Sequence, residues 1–574
     1  MSGVETDSSD SDQNTKRRQR FVSGLMIIIW GILVGRLVQI QVASGNQFTA
    51  QATRQQIDEV TISARPGDIL DRRGRLLATT LKVPSLFIDP SRVEDPATLI
   101  RELGELIEID VDRVSRQLSA YRSKKFLWIK RQLSEEEVLT LQESELDWNV
   151  FGLRDEFKRF YPQQTLARHV LGIRDIDGKG RGGVEQFFDK ELKGRSGVRR
   201  YVRDARGQML EMLEEVTIAP EMGTSIVLTL DSVIQLFTEQ ALDELVERVQ
   251  PFGASTIVLD PRSGEILAMA SRPNLVLDSE DEMPPNAWTN HAIASAYEPG
   301  STFKPLVAAW ALERNAIEFN ESFQCEWGAY RMGTRVLRDH HSYGVLGLDE
   351  ILIKSSNIGM AKIGERLGNA ELHQLAIKLG FGRRTGIELP GEAGGIVRPL
   401  DRWDDYSTGS IPMGHELSVT PIQMIAAHAM LANRGQRVSP HLVRDYVVET
   451  SSPQQVLVSE MIRPEIASWI VESALVGVIE EGTGHRARIS GLSVFGKTGT
   501  AQKYNPEGGY FDDRHVSSFI CGAPADNPRV LVLVCVDEPT SETQSGGTVA
   551  APYASKILES TIRQLDLYAS QDRR

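Results

Sequence analysis

The sequence predicts an α+β protein: a five-stranded antiparallel sheet holding a large helical insert, set on a mixed α/β N-terminal module and preceded by a single transmembrane helix. Three observations carry that reading. A 22-residue apolar run, 21–42, follows a basic cluster. Residues 81–220 mix short strand patterns with Glu-, Arg- and Leu-rich helical ones. From residue 223 a helix and two strand-like runs are separated by a long helical stretch from three more strand-like runs and a closing helix.

The bulk numbers fit a folded chain with an anchor. Of 574 residues, 41% are hydrophobic and 25% charged, the range of globular proteins. The net charge of −14 argues against nucleic acid as a partner, because phosphate binding needs a basic face. The three cysteines, Cys325, Cys521 and Cys535, make neither a disulfide framework nor a CxxC metal motif. Buried free thiols are the expectation, with a Cys521–Cys535 pairing as the alternative.

Residues 1–15 are polar and acidic and are expected to be disordered. "FVSGLMIIIWGILVGRLVQIQV" (21–42) would span roughly 33 Å as a helix, enough for a bilayer core of about 30 Å. "KRRQR" (16–20) precedes it, and basic flanks stay cytoplasmic. Arg36 lies near the outer end, where it can snorkel. "VASG" (42–45) offers small residues for signal cleavage, but the apolar stretch is longer than a signal core, which favours an uncleaved anchor. The expected division is a cytoplasmic tail (1–20), the anchor (21–42), an N-terminal module (43–222) and a C-terminal domain (223–574).

"GNQFTAQATRQQIDEV" (45–60) reads as a polar, helix-compatible stalk. "TISARPGDILDRRGRLLATT" (61–80) reads as strand, turn, strand, with Gly74 in the turn. "SVIQLFTEQALDELVERV" (232–249) puts Val233, Phe237, Ala241, Leu245 and Val249 at steps of four, one apolar helix face. "ASTIVLDPRSGEILAMAS" (254–271) is a hairpin turned by "DPRSG". "LSVFGKTGTAQ" (492–502), "VSSFICGAP" (516–524) and "RVLVLVCVDE" (529–538) are the late strands, and "YASKILESTIRQLDLY" (553–568) the last helix.

Chemistry concentrates at three places. In "YEPGSTFKP" (297–305), Pro299 and Gly300 break what precedes, and Pro305 is tolerated only in a first helical turn, so a helix starts close to Ser301. Lys304, three residues on, shares its face. Unpaired N–H groups and the positive end of the helix dipole favour an alkoxide or oxyanion there. A serine needs a base, and Lys304 can serve only if neutral. Lowering its pKa from about 10.4 towards 7 takes on the order of 4–5 kcal/mol, which burial and a second nearby cation would supply. Alone, Ser301-x-x-Lys304 reads more readily as an ordinary helix cap than as a reactive pair. Ser355 and Asn357, in "IKSSNIGMAK", can aim a hydroxyl and an amide into one cleft. In "FGKTGTAQ", Lys497 suits a carboxylate, Thr498 and Thr500 add hydroxyls, and Gly499 lets a substrate backbone lie close.

S-x-x-K, S-x-N and K-T-G in this order, 54 and then 142 residues apart, form the signature shared by penicillin-binding proteins and class A β-lactamases. With "EEGTGHRARI" (480–489), "GGTVAAPY" (546–553), "RPGDILDRRGRLLA" (65–78) and "GRGGVEQFFDKELKGRSG" (180–197), the chain beyond residue 20 resembles class B high-molecular-weight penicillin-binding proteins, the cell-division penicillin-binding protein 3 type above all. Pro66, rather than Arg, precedes Gly67, a local departure.

The resemblance implies a serine β-lactamase-like transpeptidase domain on a dimerisation-type pedestal. It implies Ser301 as acylated nucleophile, Lys304 as base, Ser355 as proton relay, Asn357 on the substrate's peptide carbonyl and Lys497 as electrostatic support. Thr498 and Thr500, with Gly499 between them, would hold the terminal carboxylate of the donor peptide or of a β-lactam. The N–H groups of Ser301 and Thr500 would form the oxyanion hole, each donor worth about 3–4 kcal/mol. No metal or cofactor is called for. Implied partners are peptidoglycan stem peptides, the lipid-linked precursor, β-lactams, the membrane, and a membrane glycosyltransferase with other division proteins. The implied location is the cell (inner) membrane, single-pass, with an extracytoplasmic catalytic domain. Rival readings are an elongation-specific transpeptidase, a β-lactam sensor or hydrolase, and a non-catalytic division scaffold.

Overall fold

The computed structural model describes residues 9–43, 57–203, 209–212, 218–275, 285–446, 459–505, 507–541 and 544–567. The chain forms two compact units, residues 1–64 with 195–221, and residues 65–194 with 222–574.

In the first unit, helix α1 (Ser9–Val38) runs into a further helical turn, Gln39–Ala43. Within it Thr15–Val42 is long and apolar enough to cross a membrane, and none of that stretch is buried in protein. Arg36 donates to Gln39 Oε1 at 2.7 Å. Ser9–Thr15, expected to be disordered, instead extend the helix. Prolonging an existing helix needs no new nucleus; residues 1–8 lie outside the described residues. Most of the expected stalk, 44–56, also lies outside them. Its last residues are strand rather than helix: Ile57–Ile62 pairs antiparallel with Gly197–Arg203, which pairs in turn with Met209–Met212. That partner, some 140 residues away in the chain, overrides the local helix preference.

The second unit contains two large sheets. Strands β1 (Ile69–Leu70), β2 (Leu76–Ile88), β3 (Leu127–Lys130) and β4 (Phe151–Phe160) come from the N-terminal region. Gly74, at φ +77°, makes the turn between β1 and β2. β1 pairs in parallel with β5 (Ile226–Leu228), so one sheet draws on both halves of the chain. Around it, Asp71 accepts from Ser232 Oγ at 2.9 Å and from Arg75 Nε at 2.7 Å, while Asp231 meets Arg73 and Arg75 at 2.9 and 2.7 Å. Nearby, fully buried Glu185 is clamped by Arg159 Nε at 2.6 Å and Arg174 Nε at 2.9 Å.

Helix α2 (Ser232–Val249) is capped by Asp231, which accepts from the Val233 N–H. Its buried face runs through Ile234, Thr238, Ala241, Leu245 and Val249, while Val233 and Phe237 are only half-buried. A step of four overshoots a 3.6-residue turn by about 40°, so a five-rung ladder drifts across the face.

The central sheet is β7–β6–β13–β12–β11 in spatial order, all antiparallel: β6 (Gly253–Leu259), β7 (Ile266–Arg272), then the late strands β11 (Phe495–Tyr504), β12 (Tyr510–Ala523) and β13 (Val530–Asp537). This is the predicted five-stranded sheet. β13 is apolar at every position to Val536 because both its faces are covered. Val530, Val532, Val534 and Val536 pack with α2 and the terminal helix α6 (Ala551–Gln564). Leu531, Leu533 and Cys535 pack with the insert, whose helices are α3 (Lys304–Glu313), α4 (Asn357–Lys378) and α5 (Pro421–Ala432). The insert also carries a hairpin, β8 (Ala329–Met332) with β9 (Arg335–Arg338), and sends β10 (Val443–Tyr446) to pair with β5 in the other sheet. Cys325, Cys521 and Cys535 are buried free thiols, without the Cys521–Cys535 bridge.

Candidate active site

Gly300 turns the chain into the site. Its φ of +54° lies in the left-handed region, and a Cβ there would stand 3.0 Å from the Thr500 carbonyl oxygen. A 3₁₀ turn, Gly300–Thr302, leads into α3, where Pro305 occupies the first turn and costs no hydrogen bond. Ser301 is half-buried and Lys304, one turn on, is fully buried. The Thr302 carbonyl accepts from His428 Nε2 of α5 at 2.8 Å. Burial holds the His428 imidazole down to about 4, so the ring is neutral.

Lys304 Nζ reaches three oxygens: the Ser355 carbonyl at 2.7 Å, Asn357 Oδ1 at 2.7 Å and Ser355 Oγ at 3.3 Å. Lys497 Nζ, from β11, reaches the same Ser355 Oγ at 3.0 Å. Ser355 has φ +57°, a strained conformation for a non-glycine that costs on the order of 1–3 kcal/mol. The strain lets one residue offer Lys304 both its carbonyl and its hydroxyl.

Burial pushes Lys304 well below the lysine range, the Lys497 charge adds to this, and Asp339 opposes it. Burial also brings Lys497 down to about 7. The sequence called for burial and a second nearby cation to keep Lys304 neutral; Lys497 is that cation, but desolvation is the larger cause, and Lys497 is itself only about half charged at neutral pH. A neutral Lys304 has two N–H groups and one lone pair. The two oxygens at 2.7 Å take the N–H groups, leaving the lone pair for a hydroxyl proton.

Strand β11 is the edge of its sheet, paired with β12 on one side only. Its other row of backbone donors and acceptors can take an extended peptide. Thr498 Oγ1 lies 2.8 Å from Thr483 Oγ1, and Thr500 Oγ1 accepts from the Gly546 N–H at 3.1 Å. A Cβ on Gly499 would meet Ser518 Oγ at 2.4 Å, Thr302 Cγ2 at 2.9 Å and the Pro299 carbonyl at 3.0 Å, so only glycine fits where strand and nucleophile turn touch. Of the residues named from sequence, Lys304, Ser355, Asn357 and Lys497 share one hydrogen-bonded cluster. Ser301 precedes Lys304 by a turn, and Thr498, Gly499 and Thr500 follow Lys497 along the edge strand.

Sequence reasoning missed the residues that hold these in place. Asp339 accepts from the Asn357 N–H at 2.5 Å, the Ile358 N–H at 3.1 Å and Ser356 Oγ at 2.7 Å. The Arg338 carbonyl accepts from Asn357 Nδ2 at 3.0 Å, which leaves Oδ1 for Lys304. Thr483 sits in the quoted "EEGTGHRARI" without an assigned part. Among the described residues, no group of three or more His, Cys, Asp or Glu side chains could hold a metal ion. A serine one turn before a neutral buried amine, a second hydroxyl bridging two lysines and an unpaired edge strand are the parts needed for acyl transfer.

A family model described as the penicillin binding protein transpeptidase domain matches residues 254–559, and one described as the penicillin-binding protein dimerisation domain matches 61–228. Stage V sporulation protein D of Bacillus subtilis (strain 168) is 32% identical over 563 residues, 97% of this chain and 87% of that protein. The probable peptidoglycan D,D-transpeptidase PenA of Neisseria gonorrhoeae is 33% identical over 554 residues, 96% of this chain and 93% of that protein. Peptidoglycan D,D-transpeptidase FtsI of Escherichia coli (strain K12) is 27% identical over 555 residues, 96% and 92%. Among solved structures, penicillin binding protein 3 from Mycobacterium tuberculosis, complexed with aztreonam, superposes with a TM-score of 0.68 at 25% identity, covering 88% of this chain and 98% of that one. Since the transpeptidase model takes in more than half of the chain and relatives at 32–33% identity span nearly all of it, the chain belongs to the class B penicillin-binding proteins, the serine-type peptidoglycan D,D-transpeptidases.

Proposed function

We propose that Ser301 carries the acyl group in cross-linking peptidoglycan stem peptides during septal wall synthesis. The observation that carries this reading is the buried Lys304 nitrogen, bonded to both Ser355 and Asn357 one turn after Ser301. Lys304 takes the Ser301 hydroxyl proton as Oγ bonds to the carbonyl carbon of the penultimate D-alanine. The N–H groups of Ser301 and Thr500 hold the oxyanion. The proton passes through Ser355 Oγ to the leaving nitrogen, the C–N bond breaks, and D-alanine departs. An amine of a neighbouring stem peptide then attacks the ester. The C–O bond breaks, the amine's proton returns to Ser301, and a cross-link remains. Asn357 holds the donor's peptide carbonyl, Lys497 supports the charge, and Thr498 and Thr500 flank the donor carboxylate across Gly499. A β-lactam acylates Ser301 by the same route and stays.

The basic cluster before the apolar helix favours a cytoplasmic N-terminus and a body outside, where the polymer lies. The anchor and the pedestal, 43–222, are the natural contacts for a membrane glycosyltransferase that consumes the lipid-linked precursor and for other division proteins. The septal assignment follows from "YEPGSTFKP" and the resemblance it carries. A second reading, the same reaction in a developmental wall layer, has the sporulation-named relative in its favour.

Fluorescent penicillin applied to cells, with mass-spectrometric mapping of the adduct and imaging, tests this. The expected result is a long-lived adduct on Ser301, lost in Ser301→Ala, at the division site. A label on another residue defeats the reading. Rapid turnover of the adduct points to a hydrolase, and full cross-linking by Ser301→Ala to a scaffold.

A further inference from the structure

The insert hairpin carries chemistry that the acyl-transfer cluster does not use. In its register Arg338 opposes Ala329 and Val336 opposes Arg331. Opposed residues share a face and successive ones alternate, so these four lie on one side, and all four are exposed. The other side carries half-buried Tyr330, Met332 and Leu337, with Arg335 lying 4.4 Å from the centre of the Tyr406 ring. Arg331 and Arg338 are diagonal neighbours, about 7–8 Å apart along the face. Among the described residues neither guanidinium is in an ion pair.

The nearby carboxylates are engaged elsewhere. Asp339 holds the start of α4, Glu326 meets Lys362 Nζ at 2.6 Å, and Glu365 accepts from the Tyr330 hydroxyl at 2.9 Å. His340 and His341 continue the exposed run. In a chain of net charge −14 this is a local reversal of sign. It also borders the site, because the Arg338 carbonyl fixes the Asn357 amide. Unpaired cations at a cleft mouth draw in anionic ligands and set their register.

Resting on the transpeptidase reading, we propose that the exposed face of the Ala329–Arg338 hairpin recruits peptidoglycan through free carboxylates of the stem peptides upstream of the terminal D-Ala–D-Ala, with Arg331 and Arg338 as the anion-binding side chains. The consequence is a preference for stem peptides whose side carboxylates are free over those in which they are amidated.

The test uses full-length protein in detergent and two stem-peptide donors that differ only in free or amidated side carboxylates. D-alanine release in the presence of an acceptor amine gives kcat and KM, and penicillin acylation of Ser301 is followed in parallel. Wild type should favour the free-acid donor by about three- to tenfold, mostly in KM, and the preference should shrink with added salt. Arg331→Glu should abolish or invert it without slowing penicillin acylation, and Arg331→Lys should keep it. Equal use of both donors by wild type overturns the inference. So does a loss in Arg331→Glu that falls alike on both donors and on penicillin acylation. Failure of wild type to form a Ser301 adduct at all defeats the transpeptidase reading instead, and is a distinguishable result.

Discussion

Replacing Lys497 by methionine tests how the buried lysine pair works. Both Nζ atoms bond to Ser355 Oγ, at 3.3 and 3.0 Å, so they are no more than about 6 Å apart. At an effective dielectric constant of about 20, two charges at that distance repel by about 3 kcal/mol, roughly two pKa units. Lys497 sits at about 7 and is partly neutral where acylation is measured, so the expected share is about one unit or somewhat more. Lys304 is active as the base only when deprotonated, and the rate falls as pH drops through its pKa. Removing the neighbouring cation raises that pKa. In Lys497→Met the acid limb of the pH–rate profile for penicillin acylation should therefore move up by about one to two units, with a lower plateau from the lost bond to Ser355. Stopped-flow acylation between pH 5 and 9, with a thermal melt as a check on folding, reads both effects. Methionine fills similar volume without leaving an unpaired charge, so the fold should survive. A limb that stays put, or moves down, would refute the argument that Lys497 helps set the Lys304 proton affinity.

Gly499→Ala should slow penicillin acylation by about a hundredfold, because the new methyl pushes the nucleophile turn away from the strand; acylation kinetics beside a melt separate this from unfolding. Glu185→Gln leaves buried Arg159 without a carboxylate and Arg174 with Asp189 alone, and should cost about 3–5 kcal/mol in chemical denaturation, against little change for an exposed Glu. His428, held down to about 4 when folded against about 6.5 when unfolded, takes up a proton only on unfolding in that window. It should therefore cost up to about 3 kcal/mol of stability as pH falls from about 6.5 to 4. Denaturation of wild type and His428→Gln at pH 7 and pH 4.5 should show a shallower pH dependence in the variant.

The sheet was legible because its strands announce themselves locally. The turn "DPRSG" and the unbroken apolar run of 530–536 need no distant information. What escaped depends on partners far along the chain. Ile57–Ile62 is a strand only because Gly197–Arg203 is there, and Val443–Tyr446 crosses from the insert into the other sheet to meet Ile226–Leu228. In the site, the order of three short motifs was enough to bring Lys304, Ser355, Asn357 and Lys497 to one place. Asp339 and His428 were invisible for the opposite reason. Each acts through backbone groups, of Asn357 and Ile358 in one case and of Thr302 in the other, and nothing at fixed spacing marks such contacts. The neutrality of Lys304 followed from chemical need, but the ranking of its causes required knowing that nothing of it reaches solvent.

The parallel pairing of Ile69–Leu70 with Ile226–Leu228 makes the boundary in the chain a seam inside one body. A chain cut to begin after residue 222 would keep every residue of the acyl-transfer cluster yet lose Arg73 and Arg75 from Asp231. It would also bare one flank of Ile226–Leu228 to any passing strand. Such a fragment inherits the chemistry but not the colloidal manners of its parent, and stickiness on isolation would be a property of the missing neighbour rather than of the catalytic half.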